Sequence, residues 1–442
     1  MSSFDRFDDR LDARFSAALD DLASPEFPDY FDDVLASATA RPQRPAWTFP
    51  ERWIPMSTIA RRPSFAPALP WRTIGIALLL LALLVAGAII SFGLRQDPLP
   101  APFGPAANGL IAYPTDGDIY TRDVLTGEER LVVSGPETDV GATFSRDGQS
   151  IAFIRLEPVE ADGATLMVAN ADGTDERALT DPLEPYSMSW SPTSDAIALI
   201  SATPGQDRVL TVISTEPGVE PVAVSVPVEP QGTVEWRPPA GDELIFEGFD
   251  HASFRHAIYS VHPDGSSFHR ITEPGGTSDF FGPYEFTPDG RLMTYTDGEP
   301  IGVAVLDLQT GETRPFGAAL PEPEDWDGRP IASGNASMLS DGKTIVFGRY
   351  WNPDETDVNH QLWAASIADD GATAVPIGPV HRSRGGTNPF WQAVAPDGQS
   401  VVVFEVDTHE AWLGNPKDGT RSMIEGRELN DPPTWQRVAQ SR

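Results

Sequence analysis

The chain is 442 residues long, has no cysteine and carries a formal net charge of −34. Without cysteine there are no disulfides, no thiolate-held zinc or iron–sulfur cluster and no thiol nucleophile. Nearly all of the negative charge falls after residue 95, where lysine occurs only as Lys343 and Lys417. That part should repel phosphate backbones, so nucleic acid is not an expected partner.

Residues 1–72 carry two amphipathic stretches and a basic linker. Phe4, Phe7, Leu11, Phe15, Leu19 and Leu22 recur at spacings of three and four, which predicts one apolar helix face. Pro25 and Pro28 end that run, and Tyr30, Phe31, Val34, Leu35 and Ala38 mark a second short helix. From Arg41 to Pro70 the chain is rich in proline and arginine, as suits a linker beside a bilayer. Helices this small need a partner for their apolar stripes, so residues 1–40 are a candidate site for a cytoplasmic protein.

Thr73 to Leu94 is a run of 22 residues without a charge. At about 1.5 Å per helical residue it matches a hydrocarbon core of about 30 Å, which predicts a transmembrane helix over 73–94. Arg61, Arg62 and Arg72 precede the span, while Arg95 is soon answered by Asp97. The positive-inside rule then leaves the N-terminus in the cytoplasm and the C-terminal part outside the cytoplasmic membrane. Residues 95–108 read as a proline-rich stalk. A helical tail, one span and an external sensor resemble the layout of bacterial anti-sigma factors, which implies a transmembrane signalling regulator. The zinc-binding His/Cys pattern common in that family has no counterpart here, because every histidine lies after residue 250.

From residue 109 to 438 one unit repeats. An apolar strand runs into a tight turn and a second apolar strand, beginning at Phe144, Trp190, Trp236, Phe286, Met338 and Val394. The turns hold Asp147-Gly148, Asp195, Asp242, Asp289-Gly290, Asp341-Gly342 and Asp397-Gly398. A period of roughly 40–50 residues made of short strands is the signature of a β-propeller blade. Each unit also has a second half, such as Thr165 to Asp172-Gly173 leading to Ala178-Leu179, so four strands per unit are expected. Residues 109–133 contain only the later strands of a unit, and the missing first strand returns at Pro433–Val438 around Trp435. Joining the termini in one blade makes seven blades. Six is the alternative if the unit at Met338 is irregular.

The turn pattern aromatic-x-Pro-Asp-Gly, as in Phe286-Thr-Pro-Asp289-Gly290, resembles the WD-repeat-like unit of TolB-type bacterial β-propellers. The resemblance covers about 109–438 and implies an all-β, seven-bladed propeller of the cell envelope. Propellers of this kind serve many roles, so the resemblance implies a fold more than an activity.

Within such a blade the Asp-Gly turns share one face, and the remaining connections share the other. Three long connections are expected there, at 155–163, 247–256 and 349–360, and irregular loops on a rigid scaffold are where binding is usually found. Candidate binding residues near the channel mouth are Tyr186, Phe280, Phe281, Tyr284, Arg329, Asn335, Arg382, Arg384, Asn388, Phe390 and Trp391. Arg382 and Arg384 beside aromatics suit a ligand carboxylate, unless they neutralise neighbouring acids. His251, His256, His262 and His269 match no compact metal pattern and read as surface residues. No cofactor is expected. Asp172 to Asp175 and Asp325 to Gly328 faintly resemble calcium loops, but neither has the spacing of a Ca²⁺ site. No Gly-x-Ser-x-Gly elbow, His-Glu-x-x-His or phosphate-binding glycine loop is present. The sequence therefore reads as a non-catalytic binding module for an extracytoplasmic protein or small ligand, with a channel-centred hydrolase or lyase as an alternative.

Overall fold

The Asp-Gly turns are built by the side chains that the repeat keeps. Asp289 Oδ1 accepts from the Arg291 amide at 3.0 Å and from the Thr287 hydroxyl at 2.5 Å, which folds the chain back on itself. These bonds hold the Asp289 carboxyl below its ordinary range. The glycine that follows has no room for a side chain. Gly290 sits at φ 67°, and a Cβ there would lie 1.7 Å from the Pro238 carbonyl oxygen of the preceding blade.

The computed structural model describes residues 79–80, 99–156, 163–203, 205–273, 284–297, 301–323, 325–351, 357–384, 390–406, 408, 410–426, 428–429 and 431–440. The chain divides into two units, Met1–Arg95 and Gln96–Arg442. The helices expected in residues 1–40 lie outside the described residues. So does the expected span, apart from Leu79 and Leu80, which are helical and exposed. Among the described residues no helix is long and apolar enough to cross a membrane.

The second unit is an all-β propeller. Its described residues form 28 strands in seven four-stranded antiparallel sheets. Taking the blades in ring order, the inner strands are Thr434–Val438, Thr138–Phe144, Glu184–Trp190, Glu229–Trp236, Glu285–Phe286, Ala332–Met338 and Phe390–Val394. The sixth blade, which begins at the Met338 turn, is a full four-stranded sheet, so the six-bladed alternative falls away. Some outermost strands are short, as in Arg177–Ala178 and His269–Arg270, which leaves little edge open there, whereas that of the sixth blade, Val375–Arg384, is ten residues long.

Closure follows the predicted route. The strand Thr434–Val438 pairs antiparallel with Ala107–Thr115, placing Trp435 opposite Ile111. Seven apolar clusters then fill the seven blade–blade seams. One joins Ile111 and Tyr113 to Val402 and Phe404, and another joins Ala112 and Ile119 to Phe144 and Phe153. The repeat tryptophans tie the seams with one recurring bond. Trp190 Nε1 donates to the Thr143 carbonyl at 3.3 Å, Trp236 to Ser189 at 3.1 Å, and Trp435 to Ala393 at 2.9 Å. In each case the acceptor is the residue just before the turn position of the preceding blade. The closing strand therefore makes the same step as the others.

Three expectations are corrected. Glu247–Asp250 and Arg255–His256 belong to strands joined by a short turn, so residues 247–256 are not a long insertion. Arg349–Trp351 and Asp357–His360 likewise extend two paired strands. Among the histidines, His256 is buried and its Nδ1 lies 2.8 Å from Glu247 Oε1. It is a core residue rather than a surface one, because its strand packs between neighbouring sheets.

Trp435→Ala removes a buried indole and its seam bond, and should cost about 3–5 kcal/mol. Trp391→Ala, at an exposed indole, should cost under about 0.5 kcal/mol. Urea midpoints of the two variants check this; equal losses would contradict the closure.

Candidate functional site

Seven equivalent positions line the propeller axis. The residue before the turn aromatic, or its replacement, is in ring order Thr434, Thr143, Ser189, Glu235, Glu285, Ser337 and Ala393. All seven border connected cavities at the axis, the larger about 370 Å³ in volume. Two carboxylates thus stand on adjacent blades among small residues. Three positions further on is a second ring: Arg437, Arg146, Pro192, Pro238, Pro288, Ser340 and Pro396. Proline is the commonest residue there, and arginine replaces it on the closing blade and on the blade after it. The larger cavity reaches six of these seven residues, all but Pro192. Its mouth therefore lies on the Asp-Gly face, away from the connections between blades.

The wall is electrically uneven. Arg146 Nη2 lies 3.5 Å from Glu235 Oε2, and the Ser189 hydroxyl donates to the same oxygen at 2.6 Å. Burial raises the Glu235 carboxyl above its ordinary range, and Arg146 and Ser189 oppose that rise. Glu285 goes further, pushed up to about 8 by burial and then by the charge of Glu235. Water reaches both groups along the channel, yet protein surrounds them, which disfavours two charges side by side. Glu285 is thus a proton-bearing group at neutral pH next to a second acid whose carboxyl is also raised. Burial and the nearby Arg146 push Arg437 down to about 10.

Polar groups back this wall. Tyr284 borders the cavity, is 3% exposed, and its hydroxyl has no hydrogen-bond partner among the described residues. The Gln392 amide donates to the Asn335 carbonyl, to Ser337 Oγ at 3.1 Å and to the Val346 carbonyl at 2.8 Å.

The residues singled out from sequence are placed as follows. Tyr284 lines the axial cavity, and Asn335, at φ 52° in a strand irregularity, supports Gln392. Phe390 is buried, stacked on Tyr350 with ring centroids 6.1 Å apart. Tyr186 is exposed on the third blade with the Arg208 guanidinium 4.1 Å above its ring. Arg329 pairs with Asp327 at 3.0 Å and Arg382 with Asp357 at 3.1 Å. Arg384 ends a strand, and Phe280, Phe281 and Asn388 lie outside the described residues. Trp391 is exposed. The Asp172 carboxylate accepts from the Thr174 amide and hydroxyl, and Asp327 caps Arg329, so turn geometry accounts for both acidic loops. Among the described residues no three His, Asp or Glu side chains are grouped to hold a metal.

Glu235, Glu285, Arg146 and Arg437 were missed from sequence. The signal was present: two glutamates at a position otherwise Thr, Ser or Ala, and two arginines at a position otherwise mostly proline.

No family model matches this chain, and no curated protein matches it in sequence. Solved structures share its fold. The TolB protein of Acinetobacter baumannii is 16% identical over 74% of this chain and 81% of its own, with a TM-score of 0.45. A periplasmic gluconolactonase of Pseudomonas aeruginosa is 14% identical over 75% and 99%, with a TM-score of 0.50. An oligogalacturonate lyase from Vibrio parahaemolyticus is 14% identical over 74% and 89%, with a TM-score of 0.50. The structural neighbours thus include TolB proteins alongside propeller enzymes. At these identities the likeness is one of fold.

The Glu285 shift has a direction that can be measured. Folded, Glu285 keeps its proton to about pH 8; unfolded, it releases it near 4.5. Between those values the folded state binds more protons, so this group's stabilising contribution is full below pH 4.5 and lost as pH rises to 8. Glu285→Gln should reduce the fall in Tm between pH 5 and 8.5 by about 5 °C. An unchanged fall would show that Glu285 titrates normally.

Proposed function

We propose that this protein is a membrane-anchored, extracytoplasmic binding module of the bacterial envelope, and that the axial cavity is its ligand site. The observation that carries this reading is the cavity of about 370 Å³, walled by an arginine pair and a carboxylate pair. Rigid inner strands hold these groups in place, so a ligand would find them preorganised. The anchor and the outward placement rest on the uncharged run 73–94 and its arginine-rich cytoplasmic flank. A signalling role would add a cytoplasmic partner at residues 1–40, which retention of a protein by the full chain, but not by a chain lacking 1–40, would support.

One observation favours a second reading, a channel-centred hydrolase or lyase. Neighbouring acids whose environments separate their proton affinities are a common arrangement for acid–base chemistry. Glu285 would supply the proton and Glu235 would accept one. On that reading Glu285→Gln lowers turnover by about 100-fold or more.

A thermal-shift screen of small molecules against the full chain in nanodiscs tests the binding reading. Compounds that raise the wild-type Tm by about 3 °C or more should lose the effect in an Arg146→Gln/Glu235→Gln variant. Shifts that persist in that variant would place binding elsewhere.

A further inference from the structure

The protein's own linker forms part of the wall at the mouth of the axial cavity. Pro102, Phe103 and Gly104 form part of its lining. Arg437 Nη2 donates to the Ala101 carbonyl at 2.8 Å and to the Gly104 carbonyl at 2.6 Å. The Arg146 guanidinium carbon stands 5.3 Å from the centre of the Phe103 ring. The Ala106 amide donates to the Pro396 carbonyl at 3.0 Å, and Ala106 is buried, which fixes where the linker joins the first strand.

Arg437 is therefore held by two neutral carbonyls, and Arg146 stands between the Phe103 ring and a long contact of 3.5 Å to Glu235. Neutral partners are weaker for a guanidinium than a carboxylate, which accepts two parallel bonds. Arg437 retains an open donor for that geometry, because its buried Nε has no partner among the described residues. With Glu285 holding its proton at neutral pH, the two arginines face at most one charged wall carboxylate, Glu235. The mouth is thus a small positive spot in a strongly acidic protein. Its surroundings repel large polyanions and leave a compact carboxylate as the matching ligand.

We propose that the axial cavity binds a compact carboxylate ligand, and that residues 99–105 are a tethered plug which this ligand displaces from Arg437 and Arg146. The inference rests on the cavity being a ligand site and adds its ligand class and its gate. A tethered competitor acts at millimolar effective concentration, so it weakens ligand binding without any change in the cavity itself.

The test uses the full chain in nanodiscs and titration calorimetry. The probes are N-acetylphenylalanine, whose ring and amide resemble Phe103 and whose carboxylate suits Arg437, and its uncharged amide. Replacing residues 99–105 with glycine and serine should tighten carboxylate binding about tenfold or more over wild type. The uncharged amide should bind at least about tenfold more weakly than the acid, and Arg437→Gln should abolish that preference. Phe103→Ala, a milder change, should tighten binding about threefold and serves if the replaced linker does not fold. Equal affinity in wild type and both linker variants would overturn the plug. Equal binding of acid and amide would overturn the carboxylate site. No binding of either probe, while cavity-dependent thermal shifts persist with other compounds, would overturn this ligand class and leave the cavity a binding site.

Discussion

The antiparallel pairing of Thr434–Val438 with Ala107–Thr115 is the contact on which everything else depends. A sheet array with two free ends exposes two apolar blade faces and two strand edges. Closing it buries both, and the seams on either side hold Ile111, Tyr113, Phe404, Ala112 and Phe144. The entropy of bringing together segments more than 300 residues apart grows only with the logarithm of that separation. Seven packed seams readily exceed it. Gly148 shows how tight the closure is, since a Cβ there would lie 2.1 Å from the Arg437 carbonyl oxygen of the closing strand.

The closing strand also makes the site. It contributes Thr434 to the axial wall and Arg437 to the mouth, beside Arg146 from the next blade. Opposite charges therefore occupy two successive rings and different blades: arginines on the first and second blades at the mouth, glutamates on the fourth and fifth blades deeper in. The same strand anchors the linker that enters the propeller, through Arg437. Ring closure, charge separation and lining of the mouth thus share one element. Whether such a cavity only holds a ligand or also transfers a proton depends on how Glu235 and Glu285 divide one proton between them.

Much of the architecture was legible because its signals are local. Asp-Gly turns, flanking apolar strands and a tryptophan that reaches back to the previous blade recur along the chain. Trp435 repeats the pattern of Trp190 and Trp236, so the split blade could be read from its ends. The site was harder to read because its members lie far apart in sequence and look like ordinary strand and turn residues. Glu235 and Glu285 emerge only when the seven units are compared position by position. Aromatic and arginine residues in the connections stand out more in the sequence, yet several of them pair locally, as Arg329 does with Asp327 and Arg382 with Asp357. His256 differs from its surface expectation for a related reason: the lack of a metal-ligand spacing says nothing about which side chains a neighbouring sheet covers.

A single engineered cross-link tests the account most directly, and the cysteine-free chain makes the result unambiguous. Ala107 and Val438 face each other across the closing pair. In the full chain, an Ala107→Cys/Val438→Cys variant should form an intramolecular disulfide under mild oxidation, seen as a mobility shift reversed by reductant, and its Tm should rise. Failure of the two thiols to join, with the protein still folded, would mean that the ends do not meet in one blade.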